Sequence, residues 1–468
     1  MLYLWAAMKK WWALLKEALV GGEQEYTTGS MKRAIFLLSV PMVLEMIMES
    51  LFAVVDVFFV SRIGVNAVAT IGLTESVFML IISMAFGLSM AATAMVARRI
   101  GEKDPEEASM AGAQAIIVGI LISLVTGIAG WIWAPDILAL MGGDPELVRE
   151  GTMYTRIMLG GNFTIMLLFL LNAIYRGAGD ASMAMRSLWI ANGINIILDP
   201  CLIFGLGPFP ELGLTGAAVA TNIGRGIGVL FQLYYLFRGK RIIHFYARHF
   251  VIRFKVILKQ INVAAGGTGQ FLIASASWIV LMRYIADFGS EALAGYTIAI
   301  RIIIFTILPS WGMANAAATL VGQNLGAEQP ERAERSVWLT AKYNFIFLLA
   351  IAVVFIIFAP SLISIFHTAP EVNRIGVMSL RIICLGYGFY AYGMVVAQAF
   401  NGAGDTRTPT WINLIAFWGI EIPLAYLLAF TFNFGPAGIF ASVAIAESAM
   451  ALIAILVFRR GKWKAVKI

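Results

Sequence analysis

Residues 34–59 read AIFLLSVPMVLEMIMESLFAVVDVFF. As an α-helix this stretch is about 39 Å long, enough to cross a hydrocarbon core of about 30 Å. Yet it carries three carboxylates, Glu45, Glu49 and Asp56. An acid at the bilayer centre costs about 2.5–3.5 kcal/mol on insertion scales, so it is kept where it faces protein or water. At about 100° per residue, offsets of four and eleven residues turn by about 40° and about 20°. All three acids therefore share one face, which the pattern predicts to look inward.

Eleven more apolar runs of similar length follow, at about 67–95, 110–134, 151–174, 183–206, 214–237, 257–284, 292–320, 338–360, 376–399, 408–431 and 435–458. Hydrophobic residues make up 60% of the chain and charged residues 13%, against about 25% charged in a soluble domain. Mean hydropathy is +0.84. That balance excludes an ordinary soluble enzyme and a disordered chain. Barrel strands would alternate over about ten residues, and these runs are about twice as long. The reading is an all-α polytopic membrane protein with twelve transmembrane helices, numbered here as spans 1 to 12.

Orientation follows from Lys and Arg. Of the 34 basic residues, 26 fall in one alternating set of connections and tails, and only Arg62, Arg149 and Arg374 fall in the other. Both termini are therefore expected in the cytoplasm, with the plasma (inner) membrane as the location. The net charge of +7 reads as this asymmetry and not as a nucleic-acid footprint. Residues 1–30 mix Trp5, Trp11 and Trp12 with Lys9, Lys10 and Lys16, the pattern of an amphipathic helix on the inner surface and not of a signal peptide. Cys201 and Cys384 lie in apolar runs, too sparse for a disulfide scaffold or a thiolate site. His244, His249 and His367 lie outside the runs, and no metal centre or proton relay is expected of them.

The sequence meets itself on a shift of 225. Gly64, Ala67 and Ala69 fall on Gly289, Ala292 and Ala294, and Gly177-Ala178-Gly179-Asp180 falls on Gly402-Ala403-Gly404-Asp405. Later, Gly213 and Gly216 match Gly435 and Gly438 at 222. The expected organisation is an interfacial segment 1–30, an N-lobe 31–237, a basic linker 238–256, a C-lobe 257–459 and a basic tail 460–468. Six spans per lobe is even, so the lobes are parallel repeats about an axis along the membrane normal, flanking a central cleft, as in some secondary transporters. The two Gly-x-Gly-Asp stretches read as capped turns and not as phosphate loops.

Several segments resemble the multidrug and toxic compound extrusion (MATE) transporters: SVPMVLEMIMESLFAVVDVFFVSRIG (39–64), AMVARRIGEKD (94–104), LNAIYRGAGDASMAM (171–185), NIILDPCLIFGLG (195–207) and LTGAAVATNIG (214–224). The resemblance covers nearly the whole chain from about Met31. It implies a two-lobe antiporter that exports organic, often cationic, compounds in exchange for Na⁺ or H⁺.

Span 5 carries Asn192, Asn195 and Asp199 on one face, with Pro200 next, which kinks a helix and can free a carbonyl oxygen. By depth, Asp56, Asn195, Asp199 and Thr221 can converge in the outer half of the N-lobe. Two carboxylates, an amide oxygen and a hydroxyl are hard oxygen ligands suited to Na⁺, and two close carboxylates can bind a proton instead. The resemblance points to the same four residues, which match the archaeal-type branch of the family one by one. Tyr154 and Asn172 match polar cavity residues of that branch. Glu45, Glu49 and Glu75 stand where that branch has non-acidic residues, so this cavity is more anionic and suits cationic substrates. Arg225, one turn from Thr221, also departs from the pattern and can neutralise nearby acids. Spans 7 and 10 offer Gln270, Arg283, Arg381, Tyr390 and Gln398 but no carboxylate, so the C-lobe cation site of the other branch is absent from this sequence. Glu421, Glu447 and Arg301 remain unassigned in the C-lobe.

Met46, Met48, Phe52, Trp189, Phe271, Trp278, Phe305 and Tyr387 are candidates for the central cleft, where soft and aromatic faces suit flat cations. No hydrolytic or P-loop constellation is present, so an enzyme is not expected. The expectation is a monomeric antiporter of organic, amphipathic cations, with H⁺ or Na⁺ as the coupling ion and no other cofactor. Its partners are that substrate, that ion and the lipid bilayer. The alternative is a flippase for lipid or lipid-linked oligosaccharide, which needs a more cationic cleft.

Overall fold

The computed structural model describes residues 2–22, 25–60, 62–238, 242–366 and 369–468. Among them every regular element is helical. An N-terminal helix, Leu2–Val20, precedes spans 1 (Met31–Val60), 2 (Val65–Gly101), 3 (Pro105–Leu140), 4 (Pro145–Gly160 and Phe163–Gly177), 5 (Ala181–Phe204) and 6 (Leu214–Arg238). Spans 7 (Phe254–Ala286), 8 (Ser290–Gly326), 9 (Pro330–Ser364), 10 (Pro370–Cys384 and Tyr387–Ala403), 11 (Arg407–Thr431) and 12 (Pro436–Arg459) complete the bundle. Ten of these cross a membrane by length and composition alone, and span 10, bent by 57° between its two pieces, makes an eleventh. Acid-bearing span 1, thirty residues long, is the twelfth.

Local sequence explains the helix starts. Asp104 and Asp144 accept hydrogen bonds from the backbone N–H groups of Glu107 and Leu147 at 2.9 and 2.8 Å, and a proline follows each at the first helical position. Asp180 caps span 5 through the Met183 N–H at 3.2 Å, and Asp405 accepts from the Thr408 N–H at 3.2 Å. The Gly-x-Gly-Asp stretches are thus capped turns. Gly179 and Gly404 hold φ of 88° and 86° there, a left-handed backbone that suits glycine.

The repeat is visible in the helix ends. Span 2 shifted by 225 coincides with span 8, and the break in span 4 at Gly161 recurs in span 10 at Gly386. Span 11 departs from its N-lobe counterpart by winding wider, as π-helix, over Leu414–Glu421 and Leu427–Thr431. The three-residue slip between offsets 225 and 222 falls within this region.

The lobes meet closely on the face that carries both termini. A Cβ on Gly101 would overlap the Gln323 backbone, and one on Gly326 would overlap Arg98. Such small residues let helices approach where lipid gives no hydrophobic drive. Gln323 Nε2 donates to the Gly177 carbonyl at 3.2 Å, and Thr319 Oγ1 to that of Arg176 at 3.1 Å.

Both terminal segments cover this seam. The Tyr26 N–H donates to Gln323 Oε1 at 3.0 Å, Arg332 donates to the Thr28 carbonyl at 2.9 Å, and Arg186 to that of Leu19 at 2.8 Å. Trp5, Trp11 and Trp12 of the N-terminal helix are exposed. The basic tail, residues 460–468, packs onto the bundle. Trp463 is buried and stacks on Phe458 at 4.6 Å, Lys464 pairs with Glu334 at 2.5 Å, and Arg98 donates to the Val466 carbonyl at 2.7 Å.

The linker also packs down. His249 is buried with Nε2 2.8 Å from Glu106 Oε1, and Gln114 Nε2 donates to the carbonyls of His249 and Val251 at 2.8 and 2.9 Å. His367 and linker residues 239–241 lie outside the described residues. Cys201 and Cys384 are free thiols.

Candidate functional site

The polar residues of the N-lobe form three layers at successive depths. Spans 1 and 5 run away from the termini-bearing face, and the second half of span 4 and span 6 run toward it. Residues that rise in number on spans 1 and 5 therefore meet residues that fall in number on spans 4 and 6.

The innermost layer, nearest the termini, is closed. Glu45 Oε1 accepts from Arg176 Nη1 at 2.8 Å and from Asn172 Nδ2 at 3.1 Å, and Gln232 Nε2 donates to Asn172 Oδ1 at 2.6 Å. Glu45 is 1% exposed and Asn172 is fully buried. Neither borders the central cavity, so Glu45 serves as the counter-ion of Arg176.

The middle layer is Glu49, Asn192 and Arg225. Asn192 Nδ2 donates to Glu49 Oε2 at 3.1 Å. Arg225 lies over the Phe52 ring, 5.9 Å from its centroid. The carboxylates acting on it most strongly are Glu49 and then Asp56.

The outer layer is Asp56, Asn195, Asp199 and Thr221. Asn195 Nδ2 donates to Asp199 Oδ1 at 3.3 Å and to Thr221 Oγ1 at 3.1 Å, and the Asp56 and Asp199 carboxyls lie within hydrogen-bond reach of each other. Asp199 is fully buried and Asn195 nearly so, yet Asp199 Oδ2 and Asn195 Oδ1 have no hydrogen-bond partner. A buried polar atom left unpaired costs about 1–3 kcal/mol. Two orphan oxygens beside a second carboxyl and a hydroxyl are the complement of a small cation or a proton. Tyr154 is buried within the field of Asp56 and Glu75, and Glu75 is exposed.

A cavity of about 200 Å³ lies between the lobes. Met46, Glu49, Met90, Arg176 and Arg225 line it from the N-lobe, and Asn315, Gln398 and Asn401 from the C-lobe. Phe86, Phe169 and Trp311 also line it. Phe86 stacks on Phe271 at 4.5 Å and lies 5.2 Å from Trp311 and 5.0 Å from Phe169, so the aromatic cluster bridges the lobes. Of the aromatic and methionine candidates, Met46 borders the cavity and Phe271 supports it from behind. Tyr387 is buried in the C-lobe, and Trp189 is exposed, with Nε1 donating to the Leu44 carbonyl at 3.1 Å.

The C-lobe repeats the innermost layer without charge, with Gln270 Nε2 donating to Asn401 Oδ1 at 2.9 Å. Glu421 is buried, Glu447 is half-buried and Arg301 is exposed. No group of three or more His, Cys, Asp or Glu poised for a metal occurs among the described residues. Sequence reasoning missed Gln232 and the Phe86–Trp311 cluster. Gln232 was findable as an amide inside an apolar run, but the rings gave no signal beyond their abundance.

Helix count, duplication and a polar N-lobe interior define a two-lobe membrane transporter, and comparison with known proteins agrees. The chain belongs to the MatE family, whose profile matches residues 41–201 and again 268–427, once per lobe. It is 26% identical to "Probable multidrug resistance protein NorM" of Thermotoga maritima, over 92% of this chain and 93% of that one. It is 27% identical to "FAD transporter" of Shewanella oneidensis, over 80% and 83%. A solved structure, "Outward-facing conformation of a multidrug resistance MATE family transporter of the MOP superfamily", superposes with a TM-score of 0.87 at 28% identity, covering 92% and 96%. The protein is a transporter and not an enzyme.

Proposed function

We propose that the protein is an antiporter of the plasma (inner) membrane that exports organic, amphipathic, chiefly cationic compounds in exchange for H⁺ or Na⁺. It works as a monomer with both termini in the cytoplasm. The observation that carries this reading is the outer polar layer. Glu45 is paired with Arg176, but Arg225 stands near Glu49 and Asp56 without an ion pair to either, and Asp199 Oδ2 and Asn195 Oδ1 stay unpaired. A coupling cation supplies the missing positive charge, held by Asp56, Asn195, Asp199 and Thr221.

Exchange then follows from competition. The seam is closed on the side of the termini, the arrangement expected of an outward-facing state. A cation arriving from outside fills the outer layer, the N-lobe helices shift about Pro41 and Pro200, and the cavity lets its substrate go outward. The aromatic cluster and Glu49 suit a flat cation. The test is ethidium efflux from proteoliposomes with H⁺ and Na⁺ gradients imposed separately. Acceleration by either gradient supports exchange, and indifference to both refutes it.

Arg176 and Arg225 on the cavity wall favour a second reading, a flat anionic substrate like that named for the Shewanella relative. Inhibition of ethidium efflux by FAD at low concentration would support it. The flippase reading draws on the same two arginines, but Arg176 is paired with Glu45 and Arg225 stands among Glu49, Asp56 and Glu75, which leaves little positive charge for a pyrophosphate.

A further inference from the structure

We infer that Arg225 couples the two cargoes as a tethered cation: it competes with a cationic substrate for Glu49 once Asp56 has taken up the coupling ion. This rests on the exchange reading above and adds the residue that transmits it.

Arg225 and Glu49 both line the cavity, so they meet the substrate directly. Arg225 also stands next to the ion site. Thr221, one turn away on span 6, is bonded to Asn195, and Asp56 is the second carboxylate acting on Arg225 after Glu49. The guanidinium is committed to neither acid, because among the described residues no carboxylate oxygen lies within 4.0 Å of it. Arg176, on the same cavity, is by contrast locked to Glu45 at 2.8 Å. The remaining groups facing Arg225 are Glu75 from span 2 and Tyr154 from span 4, while Asp199 of span 5 acts through its contact with Asp56. The position 222 residues on is Glu447, so the C-lobe has no such arginine.

The sequence of events conserves charge. While Asp56 is ionised it draws Arg225 outward, and Glu49 is open to a cation whose ring rests on Phe86, Phe169 and Trp311. A proton or Na⁺ at Asp56 releases the guanidinium. It then moves to Glu49, about two helical turns back along span 1, and displaces the substrate cation. One positive charge enters the N-lobe and one leaves the cavity.

The test is ethidium binding to the purified full-length protein, read by fluorescence anisotropy at about pH 8 and about pH 6, and with and without saturating Na⁺ at fixed pH. The wild type is expected to bind ethidium about tenfold more weakly when the coupling ion is supplied. Arg225→Gln should still bind ethidium but respond less than about threefold. Glu49→Gln, which removes the contested carboxylate, should bind more weakly and lose the response too. A full wild-type response in either variant overturns the role of Arg225, even if the wild type exchanges ethidium for ions. A wild type that responds to neither ion refutes the exchange reading itself.

Discussion

Arg176 donates to Glu45 across 2.8 Å, and the residues 225 positions on, Asn401 and Gln270, are bonded across 2.9 Å. The two lobes keep one tie between equivalent helices, as a buried ion pair in one and an amide pair in the other. The tie is architectural, and the charge is peculiar to the N-lobe. That asymmetry fits the concentration of membrane-embedded carboxylates in spans 1, 2 and 5.

Removing one partner of such a pair strands the other. Arg176→Asn leaves the nearly inaccessible Glu45 carboxyl uncompensated, which should cost about 3–5 kcal/mol. The double change Glu45→Gln with Arg176→Asn rebuilds the neutral C-lobe arrangement and should recover most of that loss. Thermal unfolding in detergent measures both. A double variant no more stable than Arg176→Asn alone would contradict the equivalence of the two ties.

The outer layer makes a different prediction, because in the proposed exchange its carboxylates serve a cation and not the fold. Asp56→Asn and Asp199→Asn should each abolish ion-driven ethidium efflux while the unfolding midpoint stays within about 2–4 °C of the wild type. Thr221→Ala, which removes one oxygen, should weaken coupling about tenfold without abolishing it. Efflux at the wild-type rate in both aspartate variants would exclude this layer as the ion site.

Closure of the seam depends on helices touching where glycine leaves room. Gly101→Val and Gly326→Val place branched side chains against the Gln323 and Arg98 backbones, so the termini-bearing face should be forced apart. A cysteine at Asn315, on the cavity wall, should then label with an impermeant maleimide in inside-out vesicles. It should stay protected in the otherwise wild-type protein. Equal labelling with and without the glycine changes would show that this contact does not seal the cavity.

Much of this was legible in the sequence, because membrane spans and an internal repeat are written in runs and offsets. The 225 shift anticipated that span 2 would match span 8 end for end, and the depth argument anticipated that Asn195, Asp199 and Thr221 would meet. Helical phase was less informative about partners. It put Glu45 on the same face as Asp56, but only packing shows that Arg176, from a distant helix, seals Glu45 away from the cavity. The tail was read only as basic, because Lys462 and Lys464 dominate its composition, and one buried Trp463 decides its placement. The π-helical winding of span 11 and the bend of span 10 left no mark in a hydropathy pattern, which counts residues and not their hydrogen bonds.

The central claim is that an ion taken up by the outer layer of the N-lobe is exchanged for an organic cation held in the cavity between the lobes. Countertransport tests it most directly: ethidium is added to proteoliposomes at equilibrium with no ion gradient, and lumenal pH and ²²Na⁺ are followed together. The account predicts that ethidium movement drives one of the two ions the opposite way in the wild type, and neither ion in Asp56→Asn. Ethidium uptake that moves neither ion in the wild type would contradict it.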